Sequence, residues 1–491
     1  MSPVTGQPAT TSKKHRNEPE TAVSGLRLLQ YLRKLFFWRH SFCTYSPLTD
    51  EKTHDIIQRN KLKGGSPVNC LIRGAQIYED GAFSKKDILI EDGRISSIAA
   101  EIPLFPDVFV FQFDNCFVFP GFTDVHVHLR EPGFSYKETI ASGTRAAARG
   151  GYTSVCAMPN LSPVPDSREH LLPELAAIRR DACIHVYPYG SITSGERGEV
   201  LSDMDELAPQ VTAFSDDGVG VQSDELMEQA MQKAKSLGKR IVAHCEVNAL
   251  LNGGCIHAGE YARRHALPGI SAESEWRMLA RDLALIRKTG CAYHACHLST
   301  KESVALIRSA KAEGLDVSCE TAPHYLTFCD EDLQDDGRFK MNPPLRGKDD
   351  RDALIEAVKD GTIDLIATDH APHSAAEKAG GLRGAKNGVV GLETAFPVLY
   401  TELVKPGILT LGGLVRLLHD APMRLLGIGT PLVEGAAADL TVFDLNGKYT
   451  IDPGEFQSMG RASPFEGWRV NGRCLLTMVG GEPVWEERRK R

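Results

Sequence analysis

The apolar and polar positions change period along the chain. From Asn69 onward, short apolar runs alternate with turn residues. Cys70-Leu71-Ile72-Arg73-Gly74 and Asp87-Ile88-Leu89-Ile90-Glu91 predict strands, and Asp92-Gly93 before Arg94-Ile95 is a hairpin signal. The far end repeats this texture at 438–444 and 475–485. Between the two ends, strand-like runs fall at 117–127, 153–158, 184–187, 211–214, 241–243, 292–297, 317–321 and 365–368. Helical periodicity separates most of them, as at 224–237, 273–288 and 301–313. Regular β-α alternation predicts an α/β fold with a parallel sheet, and eight units fit a (β/α)8 TIM barrel. The β-rich ends predict one small β domain assembled from both termini. A doubly wound open sheet is the alternative, but the chain has neither GxGxxG after its first strand nor GxxxxGK[ST].

The first 65 residues differ from the rest. They hold eleven Lys/Arg and five Asp/Glu, whereas the whole chain carries a net charge of -8. Residues 1–22 read as disordered. Residues 25–39 could form a basic amphipathic helix on a membrane or partner, and the plainer reading is an extension without structural consequence. Arg27, Arg33 and Lys34 interrupt the apolar residues and argue against a signal peptide. The expected division is an extension over 1–66, β domain over 67–118, barrel over 119–424 and β domain again over 425–491. The charge gives no reason to expect nucleic acid, and no run reaches the roughly 20 apolar residues of a membrane span. Twelve cysteines without a CxxC pair read as buried thiols in a reducing cytoplasm. Cys291 and Cys296 lack the spacing of a zinc knot.

The chemistry lies at the predicted strand ends. In Asp124-Val125-His126-Val127-His128-Leu129-Arg130 two histidines stand two apart, so an extended strand points both rings to one side. An arginine follows two positions on. Strand four runs into Asp216 and Asp217, strand five ends in His244, strand six in His297 and strand eight in Asp369, followed by His370 and His373. A single histidine of this kind is more often structural, and a single aspartate more often caps a helix. A set of such residues, all at the C-terminal ends of barrel strands, argues for a site. Four histidines and two aspartates suffice for two metal ions, with Zn²⁺ favoured over Mn²⁺ or Co²⁺. Two such ions would lower the pKa of a shared water from about 15.7 towards ~7. Asp369 could then take a proton from the nucleophile and return it to a leaving nitrogen. This is amide hydrolysis without a serine or cysteine nucleophile.

At this point the residues resemble the amidohydrolase superfamily, and within it dihydroorotase of the long bacterial class. The matching segments are Pro120 to Gly133, Met158-Pro159-Asn160, Ala213 to Gly218, Ala243-His244-Cys245-Glu246, Cys296-His297-Leu298-Ser299, Glu320 to Leu326, Lys340 to Arg346 and Ala367 to His373. The resemblance covers about Asn69 to Trp485. It implies a barrel with a composite β-sandwich and two Zn²⁺ per subunit. His126, His128 and Asp369 are implied as ligands of one metal, His244 and His297 of the other, and Asp217 as the bridge. The implied reaction is reversible ring closure of N-carbamoyl-L-aspartate to dihydroorotate in pyrimidine synthesis. The implied substrate contacts are His128, Arg130, Asn160, Asn342, His373, Asn387 and Gly388. Of these, Arg130, Asn160 and His373 would meet the carboxylate, with His370 the competing partner. Asn342 and the backbone near Gly388 would read the ring's amide edges. Hydantoinases, allantoinases and animal-type dihydroorotases resemble the chain overall but place a lysine at strand four, where this chain has Asp216 and Asp217. A further reading is a non-catalytic scaffold for aspartate carbamoyltransferase, and such proteins have lost ligands that this chain retains. Association with that enzyme, and a homo-oligomer, are expected partners of an active enzyme too. One departure stands out: Asn387 occupies a position that is usually apolar before the glycine matching Gly388. The surrounding glycines, Gly380, Gly381 and Gly384, predict a mobile loop that acts as a lid.

Overall fold

The computed structural model describes residues 69–106 and 108–487. The expected extension through residue 66, with its basic stretch at 25–39, lies outside the described residues. Strands β1 (Cys70–Glu79), β2 (Ala82–Glu91) and β3 (Arg94–Ala99) form an antiparallel meander. Asp92 and Gly93 join β2 to β3 with φ of 50° and 76°, the two positive values a type I′ hairpin requires. Strands β4 (Phe109–Gln112) and β5 (Phe117–Pro120) run parallel to β1.

The barrel begins immediately afterwards. Its strands are β6 (Phe122–Val127), β7 (Tyr152–Ala157), β8 (His185–Pro188), β9 (Gly190–Ser191), β10 (Phe214–Ser215) and β11 (Ile241–Ala243). A short parallel pair, β12 (Ile256–His257) and β13 (Gly269–Ile270), follows as an excursion. Strands β14 (Tyr293–Ala295), β15 (Val317–Thr321) and β16 (Leu365–Ile366) complete the ring. Neighbours pair in parallel throughout. Strands β8 and β9 occupy one barrel position, broken at Tyr189. A parallel bridge between Val127 and His370 closes the ring. His128 N–H donates to His370 O at 2.8 Å, and Thr368 N–H donates to the Asp124 carboxylate at 3.1 Å.

One expected strand proves to be two. The run 117–127 breaks at Gly121, so Phe117–Pro120 belongs to the β domain and Phe122–Val127 to the barrel. A Cβ at Gly121 would lie 2.1 Å from the Thr153 side chain, so only glycine fits where the chain passes from one sheet to the other. Its apolar neighbours hide this break from a reading of periodicity. The helices Asp224–Ser236, Glu273–Thr289 and Lys301–Ala312 end within one residue of expectation.

Val125, Cys156, Tyr189, Ala213, Val242, Cys296 and Leu365 come from strands all round the ring and pack in one buried cluster. Only the barrel interior brings such residues together, so the barrel is filled and its chemistry is confined to the strand ends. After the barrel, β17 (Leu440–Thr450), β18 (Arg469–Val479) and β19 (Glu482–Glu486) return to the first sheet. The combined order is β19-β18-β17-β5-β1-β2-β3, with β4 beside β1. Ile72, Ile88 and Val118 from one chain end pack with Leu440, Val442 and Leu476 from the other, all fully buried. Among the described residues no helix is long and apolar enough to cross a membrane.

Candidate metal centre and substrate pocket

Asp217, just past β10, stands at the centre of the site. Its Oδ1 lies 3.5 Å from His126 Nε2, 3.7 Å from His244 Nδ1 and 3.6 Å from His297 Nε2, and its Oδ2 lies 3.5 Å from His128 Nε2. Asp369 Oδ1 lies 3.2 Å from His128 Nε2 and 3.5 Å from His126 Nε2. The six residues therefore form two groups able to hold a cation, His126 with His128 and Asp369, and Asp217 with His244 and His297. Asp216 is spent elsewhere. It accepts hydrogen bonds from Ile192 N–H at 2.7 Å and Thr193 N–H at 3.0 Å, and one from the Thr193 hydroxyl. The two aspartates left open by the sequence are thus separated by direction: one faces four imidazoles and the other ties β10 to β9.

The donor set fits metal ions. His126 Nε2 and Asp217 Oδ1 are buried without a hydrogen-bond partner although they face each other. His244 Nδ1 and His297 Nε2 approach to 3.0 Å. Two imidazole nitrogens cannot both keep a lone pair there without a shared cation or proton. His126 Nδ1 donates to Glu320 Oε1 at 2.7 Å, which leaves the Nε2 lone pair facing the site. Glu246 Oε2 lies 3.5 Å from His244 Nε2, within ion-pair reach but without a hydrogen bond, and His244 Nδ1 faces Asp217. Burial opposes ionisation of Asp217, yet the surrounding histidines, His126 foremost, hold it well below the usual carboxylate range. Asp369 is likewise lowered against its burial by His128 and His126. Glu320 and Glu246 carried no role in the sequence reading. The strand pattern could have shown Glu320, a carboxylate in an otherwise buried, uncharged strand. Glu246, two residues beyond His244, had a weaker signal. Cys296 also lies against His126 and Asp217, whereas Cys291 Sγ turns to Ala292 O at 3.2 Å, so the two form no knot.

Beyond the metal cluster opens a cavity of about 330 Å³ lined by His128, Arg130, Asn160, Asn342, His373, Asn387 and Gly388 among others. The structure thus brings together every residue expected to touch substrate. Arg130 Nε donates to Pro372 O at 3.3 Å, and no carboxylate lies within ion-pair reach of its guanidinium among the described residues. Asn160 donates from Nδ2 to Asp217 O at 2.6 Å and to Glu196 at 3.2 Å. Asn342 donates from Nδ2 to both Glu246 oxygens at 3.0 and 3.1 Å. Among the described residues both asparagines keep an unpartnered Oδ1, so each has an acceptor to spare rather than a donor. His373 donates from Nε2 to Asn387 O at 2.7 Å, and burial together with Arg130 lowers its pKa to about 4. Arg130 and Lys386 are therefore the cationic side chains lining the cavity, and neither meets a carboxylate within ion-pair reach among the described residues. His370 stays out of the cavity lining, its Nε2 3.5 Å from Glu138 and its Nδ1 receiving Gly391 N–H at 3.2 Å.

Backbone strain concentrates at this site. Arg130, Glu196, His297 and Asp369 take φ of 61°, 55°, 33° and 47°, a region that costs a non-glycine residue roughly 1–3 kcal/mol and persists where its surroundings hold it. The glycine-rich loop is also tied down more firmly than its composition predicts. It forms the short helices Ala375–Lys378 and Gly381–Gly384, with a capping box at Ser374 and Glu377 and with Leu382 fully buried. Gly388 has φ of 130°, and a Cβ there would lie 2.6 Å from Ala371 O.

A filled parallel barrel with four histidines and two carboxylates at its strand ends is the layout of a metal-dependent hydrolase. Comparison with known proteins sharpens this. Residues 116–303 match the family described as Dihydro-orotase-like. The chain is 48% identical over 417 residues to a dihydroorotase of Bacillus cytotoxicus, covering 84% of this chain and 97% of that one. It is 50% identical over 422 residues to a dihydroorotase of Bacillus caldolyticus, covering 85% and 99%. Among solved structures it resembles an L-hydantoinase (dihydropyrimidinase) from Arthrobacter aurescens with a TM-score of 0.77 and 27% identity, covering 85% of this chain and 96% of that one. The chain belongs to the dihydroorotase family of cyclic amidohydrolases, which are metal-dependent.

Proposed function

We propose that this protein is a dihydroorotase that interconverts N-carbamoyl-L-aspartate and dihydroorotate. The observation that carries this reading is Asp217, an aspartate at strand four facing all four histidines where hydantoinases and allantoinases, like animal-type dihydroorotases, are expected to place a lysine and the long bacterial dihydroorotases an aspartate. His126, His128 and Asp369 would hold one Zn²⁺, and Asp217, His244 and His297 a second. When bound, they acidify water and polarise the amide carbonyl. The chain's own residues do the rest. Arg130 binds the substrate carboxylate, and its fork suits two parallel charge-assisted bonds. Asn342 Oδ1 and Asn160 Oδ1 accept from substrate N–H groups. Asp369 holds the proton removed from the attacking water and delivers it to the ring nitrogen as the amide opens. Ring closure runs the same transfers backwards. Glu320 and Glu246 keep the ligand rings turned to the site.

The test measures metal content together with cyclisation of N-carbamoyl-L-aspartate and hydrolysis of hydantoin and allantoin by the same preparation. Two divalent metals per chain and fast cyclisation are expected. A metal-replete protein inactive on carbamoyl aspartate but fast on hydantoin would falsify the assignment.

A further inference from the structure

We infer that Lys378 is a positioning residue for the substrate: it clamps the 386–388 segment from behind and turns the Asn387 N–H towards the pocket, the Lys386 and Gly388 N–H groups being taken by Glu377 O and Lys340 O. This rests on the dihydroorotase reading for the substrate it names. The Lys378 Nζ donates to three backbone carbonyls, Lys340 O at 3.0 Å, Lys386 O at 2.7 Å and Gly388 O at 2.6 Å. No carboxylate lies within ion-pair reach of it among the described residues. A partly buried ammonium that meets only carbonyls gains its stabilisation by ordering backbone.

The ordered backbone is the pocket wall. Lys386, Asn387 and Gly388 all line the cavity. Gly388 N–H donates to Lys340 O at 3.0 Å, and His373 Nε2 donates to Asn387 O. Three successive carbonyls, 386 to 388, are therefore held by named donors, two of them by Lys378. In a trans peptide the C=O and N–H point in opposite directions. Drawing Lys386 O back onto Nζ sends the Asn387 N–H the other way, where a ring carbonyl of the substrate can accept it. The wall reads substrate through backbone, and Lys378 fixes that backbone.

The clamp also has a pH dependence. Burial, with the neighbouring Lys340 ammonium, pulls the Lys378 amine down to about 7, while Asp336 acts in the other direction. Glu377, beside it on the same short helix, is turned to Lys137 and His373. Below that pH Nζ carries three N–H donors for its three carbonyls, and above it two. Arginine in its place would stay charged throughout.

The experiment compares wild type, Lys378→Met and Lys378→Arg in the metal-loaded full chain. It measures KM and kcat for dihydroorotate between pH 6 and 9, and hydrogen exchange of residues 386–389. Lys378→Met is expected to raise KM about five- to tenfold, the loss of roughly one hydrogen bond, with kcat changed much less and exchange of 386–389 accelerated. Lys378→Arg should recover most of the affinity, with the alkaline rise of wild-type KM flattened. Unchanged KM in Lys378→Met, or a fall in kcat alone, overturns the inference. If Lys378→Met does not fold, a wild-type KM profile shared by Lys378→Arg overturns it instead. The exchange measurement needs no turnover. A wild type inactive on dihydroorotate whose 386–389 amides are still released in Lys378→Met would therefore refute the substrate reading and leave the clamp standing.

Discussion

The two walls of the pocket are built on different plans. The metal wall consists of side chains at the ends of β6, β10, β11, β14 and β16, with the Glu320 carboxylate hydrogen-bonded to the outer nitrogen of His126 and the Glu246 carboxylate 3.5 Å from that of His244. The opposite wall, at 386–388, is backbone whose carbonyls are taken up by Lys378 and His373. The first wall places lone pairs where cations would sit. The second withdraws acceptors and leaves the Asn387 N–H as its backbone donor. An amide hydrolase needs both: negative charge and lone pairs to hold metal, and donors plus a guanidinium to hold the substrate's oxygens.

The metal wall is most vulnerable at its proton-carrying residue. Asp369→Asn should lower kcat by roughly 10²–10⁴-fold, with a thermal midpoint close to wild type. Near-normal turnover would mean that the proton travels elsewhere. Glu320→Gln attacks the same wall one layer back. It should weaken metal binding about 10- to 100-fold, read by titrating a chelator against the loaded protein. Undiminished metal affinity would reduce Glu320 to a packing residue. On the substrate side, Arg130→Ala should raise KM roughly 10- to 30-fold through loss of a charge-assisted carboxylate contact, with metal content unchanged. An unaltered KM would move the anion anchor to another residue.

The metal wall was legible because strands announce themselves. Period-two alternation placed His126 and His128 on one side, and the barrel rule placed His244, His297 and Asp369 beside them. What the pattern could not resolve was direction. Asp216 and Asp217 are neighbours in sequence, and only the turn after β10 sends one to Thr193 and the other to the histidines. Gly121 was hidden for a related reason, since what breaks the run there is contact with Thr153 and not a local polarity signal. The loop wall was legible only as a glycine-rich stretch. Its glycines suggested mobility, but the Lys378 amine ties the loop to itself at Lys386 O and Gly388 O and to distant Lys340 O, and Leu382 is buried, none of which a glycine count shows. The expectation that Asn160 and His373 meet the substrate carboxylate was carried by resemblance. In the structure Asn160 donates to Asp217 O and His373 to Asn387 O, while Arg130 Nε donates to Pro372 O.

The smallest expected effect is the sharpest test of the difference between the walls. Asn387 lines the cavity with an exposed side chain, and a family resemblance would place an apolar residue there. If the loop read substrate through side chains, as the metal wall holds its ions, replacing Asn387 should matter as much as replacing Arg130. The hydrogen bonds fix its carbonyl to His373 and its preceding carbonyl to Lys378, so neither depends on the amide side chain. Asn387→Ala should therefore change KM for dihydroorotate by no more than about twofold, the range of a surface substitution. Asn387→Pro removes the backbone N–H and should raise KM by about as much as Lys378→Met, roughly fivefold or more. Equal losses in both variants would show that the side chain and not the peptide carries recognition, and the loop wall would then be the same kind of surface as the metal wall.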